Sequence, residues 1–406
     1  MKKNHFFFLL IIQIAFCYPL FATVRFAQVT DLHIFEDSKQ ERESKISTSD
    51  FDISVNKINQ ISKTLKTDLN ASLDFVLLSG DIGIGKLLKL EPITEKGKNI
   101  TVEKEGKLFK LVKDVEKWHK AKKTIAHILQ GSTVKTWLIV PGNNDLYTEQ
   151  HDTIPFFSDF IKELQDMPEI KAAGLSLVDF RLEASQEAQP GAPPGMYVIK
   201  DLLFVGWDNS FFKNNNSVKK FVGADHKLIP IDQTDEYQGM QKLSQVLKVS
   251  SAKYAYVFYH IPEIDDPYMV GLDEKEKGNV VSKRLEEAMA LSPALATGLY
   301  PYSAWTVPLS IRQVWENLVT NKTFKAPLIK GLFAGHFHDH QKKTYETNAW
   351  VKTKDYKADI LEKLYIAPPV SVKHQEKYSP SDQARGGQIV TIDDQGDVTR
   401  DIFWLG

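Results

Sequence analysis

Short apolar runs that stop at polar residues recur along this chain and predict buried β-strands. Five of them lie at residues 24–29, 75–78, 137–140, 254–259 and 328–333, and each is followed closely by aspartate, asparagine or histidine. Strands that are buried on both faces are typical of layered α/β proteins. We therefore predict an α/β fold in which the carboxyl ends of the strands bring these polar residues to one edge.

The remaining segments follow the same alternation of strands and helices. Amphipathic spacing predicts helices at four places, which are residues 53–65, 109–129, 156–164 and 237–247. Shorter apolar runs predict further strands, at residues 196–199, 202–205, 363–366, 387–392 and 398–403. A charged loop is expected at residues 36–49, and surface insertions are expected near residues 87–107 and 264–327. We predict one domain, residues 23–406, that carries both insertions.

Residues 1–22 have the pattern of a secretory signal peptide. Two lysines precede an apolar stretch at 6–22, which Gln13 and Pro19 interrupt and which ends in a small residue. This stretch is short for a membrane span, so we expect cleavage and a secreted or periplasmic protein, a retained anchor being the alternative. Cys17 is the only cysteine of the chain, so the cleaved protein would contain neither disulfides nor thiolate zinc sites.

Composition excludes few classes of protein but does narrow the partners. The chain has 406 residues with 42% hydrophobic and 25% charged residues, which is ordinary for a globular protein. Its formal net charge is −1, so no overall positive field attracts nucleic acid, and no nucleic-acid-binding signature is present. No stable membrane span is expected after removal of the signal peptide.

Seven oxygen and imidazole donors follow the predicted strands and form a candidate metal-binding set: Asp31, His33, Asp81, Asn143, His260, His336 and His338. Such donors suit Zn²⁺, Mn²⁺ or Fe ions. If Asp31-x-His33 and His336-x-His338 lie on extended segments, each pair points to one side of the chain. Seven donors are too many for one tetrahedral ion, but they fit two ions if the carboxylate of Asp81 bridges them.

Each of these motifs has an ordinary structural interpretation when it is taken alone. Glycine, asparagine and aspartate favour turns, and an isolated histidine is more often a hydrogen-bonded core residue than a ligand. A solvated histidine-rich loop is an alternative for the segment around His336 and His338. The occurrence of all the motifs in one order, each after an apolar strand, is what indicates a metal site.

The chain resembles the calcineurin-like metallophosphoesterases in Asp31-x-His33, Gly80-Asp81, Gly142-Asn143, His260 and Gly335-His336-x-His338. The order of its late elements, with Ala367-Pro368-Pro369 after the last motif, is similar to that of exported acid sphingomyelinase-like members. The resemblance covers residues 24–406 and implies a four-layer αββα sandwich with a dimetal centre at the carboxyl edge of the strands. It implies that one ion is held by Asp31, His33, Asp81 and His338. The other ion would be held by Asp81, Asn143, His260 and His336, and Asp81 would bridge the two.

Two positions depart from patterns of that family. Asn144 stands where the family usually has a histidine, and asparagine cannot deliver a proton. Ile84 stands where purple acid phosphatases have a tyrosine ligand, which disfavours an Fe(III)–tyrosinate site. Asn144 and Asp145 are the predicted catalytic residues, and the predicted substrate-binding residues are Asn144, Asp208 and Asn209.

The resemblance implies hydrolysis of a phosphomonoester or phosphodiester by a metal-bridging hydroxide. The expected substrates are a phosphorylated small molecule, a nucleotide or a phospholipid head group. One alternative is a catalytically weak or silent relative that binds metal or phosphate, for which Asn144 is the support. A hydrolase with one zinc ion on His336 and His338 is a further alternative, but it leaves Asp31, Asp81 and Asn143 without a role.

Overall fold

The chain forms an α/β protein built on three β-sheets. The computed structural model describes residues 23–34, 41–93, 100–104, 107–147, 153–182, 195–209, 243, 245–247, 250–262, 328–338, 342–347, 363–371 and 384–405. Its strands are β1 (Val24–Val29), β2 (Phe75–Ser79), β3 (Leu88–Pro92), β4 (Thr101–Lys104), β5 (Lys107–Lys113), β6 (Thr136–Val140), β7 (Ser176–Asp179), β8 (Met196–Ile199), β9 (Leu202–Gly206), β10 (Tyr254–Phe258), β11 (Leu328–Ala334), β12 (Leu364–Ile366), β13 (Gly386–Ile392) and β14 (Val398–Trp404). Its helices are α1 (Glu41–Leu69), α2 (Val115–Leu129), α3 (Ile154–Gln165), α4 (Pro168–Ala172) and α5 (Lys342–Thr347).

Two of the sheets are mixed and hold most of the predicted strands. The six-stranded sheet has the order β14-β13-β1-β2-β6-β7, in which β1, β2, β6 and β7 run parallel and β13 runs antiparallel to both of its neighbours, β1 and β14. The five-stranded sheet has the order β12-β11-β10-β9-β8, in which β8 alone runs antiparallel to its neighbour. Parallel strands therefore deliver several carboxyl ends to one edge of each sheet.

The two mixed sheets pack against each other through a largely aromatic layer. Phe26 of β1 stacks on Phe75 of β2, with ring centroids 4.8 Å apart. Its ring also contacts Phe333 and Phe258 of the five-stranded sheet, at 5.2 and 5.4 Å between centroids. The period of two in β1 points Val24 and Phe26 into this layer, and it points Ala27 and Val29 to the opposite face.

Apolar side chains cover the outer faces of both sheets. Over the six-stranded sheet these side chains come from three helices: Phe51, Val55 and Ile58 from α1, Trp118, Ala121 and Ile125 from α2, and Phe157, Phe160 and Leu164 from α3. Over the five-stranded sheet, Leu243, Leu247 and Tyr345 pack against residues of β9, β10 and β11 that face away from the aromatic layer. Each helix thus buries one apolar stripe, as an amphipathic helix on a sheet must.

Two predictions from the sequence need correction, and the strand β7 was not predicted. Residues 109–113 are part of β5 and not of a helix, because they pair with β3 in a separate three-stranded antiparallel sheet, β3-β5-β4. Residues 41–49, predicted as a charged loop, form the first turns of α1. The sequence also gave no indication of β7, a short half-buried strand that pairs with β6.

Several predictions fall on segments that the structure does not describe. The signal peptide at residues 1–22 and the insertion at 264–327 lie outside the described residues, as does most of the helix predicted at 237–247. Within that predicted helix, residues 243 and 245–247 are described and helical. Among the described helices, none combines the length and apolarity that crossing a membrane requires.

The layer between the sheets should contribute strongly to stability. We expect Phe26→Ala to lower the free energy of unfolding by about 3–5 kcal/mol, because it removes a fully buried ring and leaves a cavity. Val198→Ala is the control, because Val198 is 59% exposed on the edge strand β8, and its change should stay within about 0.5 kcal/mol. Urea unfolding followed by circular dichroism measures both, and equal effects would contradict this account of the packing.

Candidate metal centre

The predicted ligands converge into two groups at the carboxyl ends of β1, β2, β10 and β11. Asp31, His33 and His338 form the first group, and Asp81, His260 and His336 form the second. Within each group the candidate ligand atoms lie within 4.8 Å of one another. Each group draws residues from both mixed sheets, so the site lies where the two sheets meet. These histidine and aspartate groups are positioned to hold a metal ion.

In the first group, three side chains converge on a small volume. Nε2 of His338 lies 3.0 Å from Oδ1 of Asp31 and 3.3 Å from Nε2 of His33. Nε2 of His33 lies 3.6 Å from the same Asp31 oxygen. Ligands bound about 2.1 Å from one tetrahedral ion lie roughly 3.4 Å from one another. The observed separations match that spacing, so the donor set fits a divalent ion.

The second group contains a histidine that is already oriented as a ligand. Nδ1 of His260 donates a hydrogen bond of 2.7 Å to the carbonyl oxygen of Ser79, so Nδ1 carries a proton. Its Nε2 is buried, makes no hydrogen bond and lies 3.3 Å from Oδ2 of Asp81. A ring held through one nitrogen by a backbone carbonyl is the usual arrangement of a metal-binding histidine. His260 therefore also fits the metal.

Asp81 connects the two groups. Its Oδ2 lies 3.3 Å from Nε2 of His260 in one group and 3.9 Å from Nε2 of His33 in the other. Asn143, the seventh predicted ligand, is fully buried in the 3-10 turn Asn143–Asp145 that follows β6. That turn adjoins Asp81, because the backbone N–H of Asn144 donates to Oδ1 of Asp81 at 2.8 Å.

Buried charge makes this volume attractive to cations. Burial alone would raise the pKa of Asp31, but the imidazoles of His338 and His260 hold it well below its usual value. Burial would likewise raise the pKa of Asp81, but the imidazoles of His260 and His33 have the larger effect and lower it. Burial would lower the pKa of His260, yet Asp81 and Asp31 raise it to about 9. Both carboxylates thus stay ionised, and a metal ion would compete with protons for the imidazoles.

The backbone at the ligands is unusual and corrects one premise of the sequence analysis. Asp31, His33, Asp81 and His336 all have positive φ, between 44° and 73°. The segments Asp31-x-His33 and His336-x-His338 are therefore not extended, although their side chains do converge. Non-glycine residues in this region cost about 1–3 kcal/mol each and are enriched at functional sites. Hydrogen bonds from Asp31 N to Gly80 O and from His33 N to Asp81 O fix the strained turn.

Two glycines of the motifs are required by close approach. At Gly80, where φ is +92°, a Cβ atom would lie 2.5 Å from Nδ1 of His260. At Gly142 a Cβ atom would collide with Oδ1 of Asp81. Any side chain at either position would displace a candidate ligand. Close packing around these ligands therefore explains why both residues are glycine.

Asn144 and Asp145, the predicted catalytic residues, both contact the turn around Asp81. Nδ2 of the half-buried Asn144 donates to Oδ2 of Asp81 at 2.5 Å. Asp145 accepts from the backbone N–H groups of Gly83, Ile84 and Gly142 at 2.8, 3.1 and 2.8 Å. Its burial and the nearby charge of Asp81 raise the pKa of Asp145 to about 6. These contacts give Asp145 a loop-fixing role, and its catalytic role stays a prediction.

The comparisons with known proteins leave the family unassigned. No protein-family model matches the chain, and no curated protein sequence matches it significantly. The geometry of the site is therefore the basis for the functional proposal.

Asp208 and Asn209, the predicted substrate-binding residues, are both buried after β9. Oδ2 of Asp208 lies 3.5 Å from Nη1 of the buried Arg181. Oδ1 of Asn209 accepts from the backbone N–H groups of His260 and Ile261 at 3.2 and 3.1 Å, and its Nδ2 donates to Ile261 O at 2.6 Å. The Asn209 amide thus binds the loop that carries His260, and these hydrogen bonds position His260 as a candidate ligand.

The sequence analysis missed three residues that support the site from below. The hydroxyl of Thr30 lies 2.7 Å from Oδ2 of Asp31 and 2.8 Å from the carbonyl oxygen of Ser79. Ser79 and Gln28 are fully buried and hydrogen-bonded to each other. A detectable signal existed, because Gln28 and Ser79 are the last inward residues of the otherwise apolar inner faces of β1 and β2, and Thr30 directly follows β1.

The contacts of Asn209 distinguish a positioning role from a substrate-binding role. We expect Asn209→Ala to weaken metal binding about tenfold, because the His260 loop loses three hydrogen bonds. Metal retained after graded chelation, measured by mass spectrometry, tests this. Asn59→Ala is the matched control, since the Asn59 amide holds Gly131 and Thr133 in a loop remote from the site. A raised KM with normal metal retention would instead support the substrate-binding role.

Proposed function

We propose that this protein is a phosphoesterase that works with two divalent metal ions. The observation that carries the proposal is the position of Asp81, whose Oδ2 faces His260 in one ligand group and His33 in the other. One carboxylate between two compact groups of oxygen and imidazole donors is the arrangement expected of a bridged two-metal site. Zn²⁺, Mn²⁺ and Fe are the ions that suit these donors.

The ligand sets follow from the two groups. Asp31, His33 and His338 would hold the first ion, Asn143, His260 and His336 would hold the second, and Asp81 would bridge them. Two divalent ions in such a site activate water and stabilise the charge on attacking and leaving oxygens during phosphoryl transfer. The substrate class that this chemistry serves is a phosphate monoester or diester, as in a phosphorylated small molecule, a nucleotide or a phospholipid head group.

The residues of the chain would supply orientation and electrostatics for this reaction. The Ser79 carbonyl holds His260 in the tautomer that presents Nε2. The backbone N–H of His336 donates to Oδ2 of Asp31 at 2.9 Å, which leaves Oδ1 of Asp31 toward His338. Asn144 donates to both oxygens of Asp81 and fixes the plane of that carboxylate. Ligands held in this way need little reorganisation when the substrate binds.

The fold is consistent with membership of the calcineurin-like metallophosphoesterases, and we include that family in the proposal. Its four-layer αββα sandwich is supported by the apolar layer between the two mixed sheets and by α1, α2 and α3 outside the six-stranded sheet. Leu243, Leu247 and Tyr345 would belong to the fourth layer. The pattern of residues 1–22 adds the proposal that the protein acts outside the cytoplasm.

Removing the bridging carboxylate should abolish both metal binding and activity. We expect Asp81→Asn to lower kcat/KM for bis-p-nitrophenyl phosphate by at least about a thousandfold, because the loss of ions removes several kcal/mol of transition-state stabilisation. The assay adds Zn²⁺ or Mn²⁺ to the metal-stripped mature protein. Asp401→Asn is the control, because Asp401 is exposed on β14 and lies outside the ligand groups. Hydrolysis that is unaffected by chelation, or retained in Asp81→Asn, would refute the proposal.

The contacts of Asn144 favour a second candidate, a metal-binding relative with weak or no catalysis. Its side chain donates to Asp81 and has no proton to give to a leaving group. A wild-type protein that binds two ions but hydrolyses no activated phosphate ester would support this second candidate over the first.

Asn144→His tests whether a missing proton donor limits the reaction. General acid catalysis is typically worth about 10²–10⁴ in rate, and it matters most when the leaving group is a poor one. We therefore expect the variant to raise the ratio of alkyl-ester to p-nitrophenyl-ester hydrolysis by about tenfold or more. Equal metal content in the variant and the wild type is the control. An unchanged ratio would show that proton donation at this position does not limit the rate.

A further inference from the structure

We propose that Gln28 is a positioning residue for the metal centre, and that its carboxamide sets the spacing between the loops that carry Asp81 and His336. This inference rests on the metal binding in the proposed function but not on hydrolysis. Gln28 belongs to none of the motifs that suggested the site. It is fully buried on β1, between the two mixed sheets.

The apolar layer between the sheets changes into a polar layer on the side of the site. On the six-stranded sheet, three neighbouring strands each place two apolar residues and then one polar residue along this face: Val24, Phe26 and Gln28 on β1, Phe75, Leu77 and Ser79 on β2, and Ile392, Val390 and Gln388 on β13. Gln28 is paired directly with Gln388 in the strand register. The polar residues therefore form one buried layer beneath the metal ligands.

The hydrogen bonds of Gln28 connect the two sheets. Its Nε2 donates to the hydroxyl of Ser79 at 2.8 Å, within the six-stranded sheet. The same nitrogen donates to the carbonyl oxygen of Ala334 at 3.0 Å, on β11 of the five-stranded sheet. Its Oε1 accepts from Nε2 of Gln388 at 2.6 Å. Both amide protons are used, so the side chain is fixed and its two donors join one sheet to the other.

Both acceptors of Gln28 lie close to metal ligands along the chain. Ser79 precedes Asp81 by two residues, and its carbonyl oxygen accepts the Nδ1 proton of His260. Ala334 precedes His336 by two residues, and Gly335 N donates to the carbonyl oxygen of His260 at 3.0 Å. A change in the separation of Ser79 and Ala334 would therefore move Asp81, His260 and His336, which together form the second ligand group.

The far end of the polar layer is anchored away from the site. Nη1 of Arg400 on β14 donates to Oε1 of Gln388 at 3.1 Å and to the carbonyl oxygen of Ile366 at 3.3 Å. Nη2 of Arg400 donates to the carbonyl oxygen of Tyr345. Gln388 is thus held from one side, and in turn it orients the Gln28 carboxamide toward Ser79 and Ala334. An apolar residue of similar size at position 28 would fill the space but would hold neither loop.

The experiment compares the Mn²⁺ affinity of two glutamine variants. Free Mn²⁺ is measured by electron paramagnetic resonance while the metal-free full chain is titrated, and unfolding midpoints are measured in parallel. Gln28→Met removes the hydrogen bonds and preserves the approximate volume. Gln165→Met is the matched control, because the Gln165 amide also joins two elements, through Leu175 O and Leu177 N, at the opposite end of β7 from the site.

We expect Gln28→Met to weaken Mn²⁺ binding by about tenfold, the usual effect of losing a group that orients a ligand, while Gln165→Met lowers the unfolding midpoint and leaves the affinity unchanged. If Gln28→Met does not fold, Ser79→Ala removes one of the two acceptors with a smaller change in volume and should weaken binding in the same direction. Wild-type affinity in the Gln28 variant, or equal weakening in both glutamine variants, would overturn the proposal. A wild-type protein that binds neither Mn²⁺ nor, in the same titration with competing ions, Zn²⁺ or Fe²⁺ would instead refute the proposed function.

Discussion

The structure depends on the need to compensate two buried carboxylates that have no access to solvent. Asp31 and Asp81 are 0% and 1% exposed and lie within one small volume. A buried charge costs several kcal/mol unless opposite charge and hydrogen bonds compensate it. Thr30, His336 N and Asn144 donate hydrogen bonds to the two carboxylates. The opposite charge comes from a ring of imidazoles, which can carry protons or can bind metal through the same nitrogens. The site therefore requires compensating positive charge, and its aspartate and histidine side chains are positioned to hold a metal ion.

The scaffold holds these charges by means of strained turns and not by regular strands. Asp31 and Asp81 have positive φ where the backbone leaves β1 and β2. A hydrogen bond from Asp31 N to Gly80 O joins the two turns. Such conformations persist only where neighbouring contacts over-determine them. Here the contacts are those of Thr30, Ser79 and Asn144, so the geometry of the candidate ligands depends on residues outside the ligand set.

The sequence predicted the strands that carry the site, and the convergence of the candidate ligands, because both depend on local patterns. Apolar runs located β1, β2, β6, β10 and β11, and the donors that follow them converge as expected. Patterns that depend on distant partners were not readable. Residues 109–113, the start of the helix predicted at 109–129, are a strand because β3 pairs with them, and Asn209 binds the His260 loop because β9 and β10 are neighbours. Gln28 was also missed, although a buried polar residue that ends an apolar strand is a detectable signal.

A site assembled from two sheets ties metal binding to their packing. The first ligand group joins the end of β1 to the end of β11, and the second joins β2 to β10 and β11. The unfolded chain has no such arrangement, so the free energy of binding a metal ion would add to the stability of the packed sheets. The same linkage works in reverse. Any contact that fixes the separation of the sheets, including the aromatic layer around Phe26, also fixes the distances between the candidate ligands, so the packing of the interior would directly influence the affinity for a metal ion.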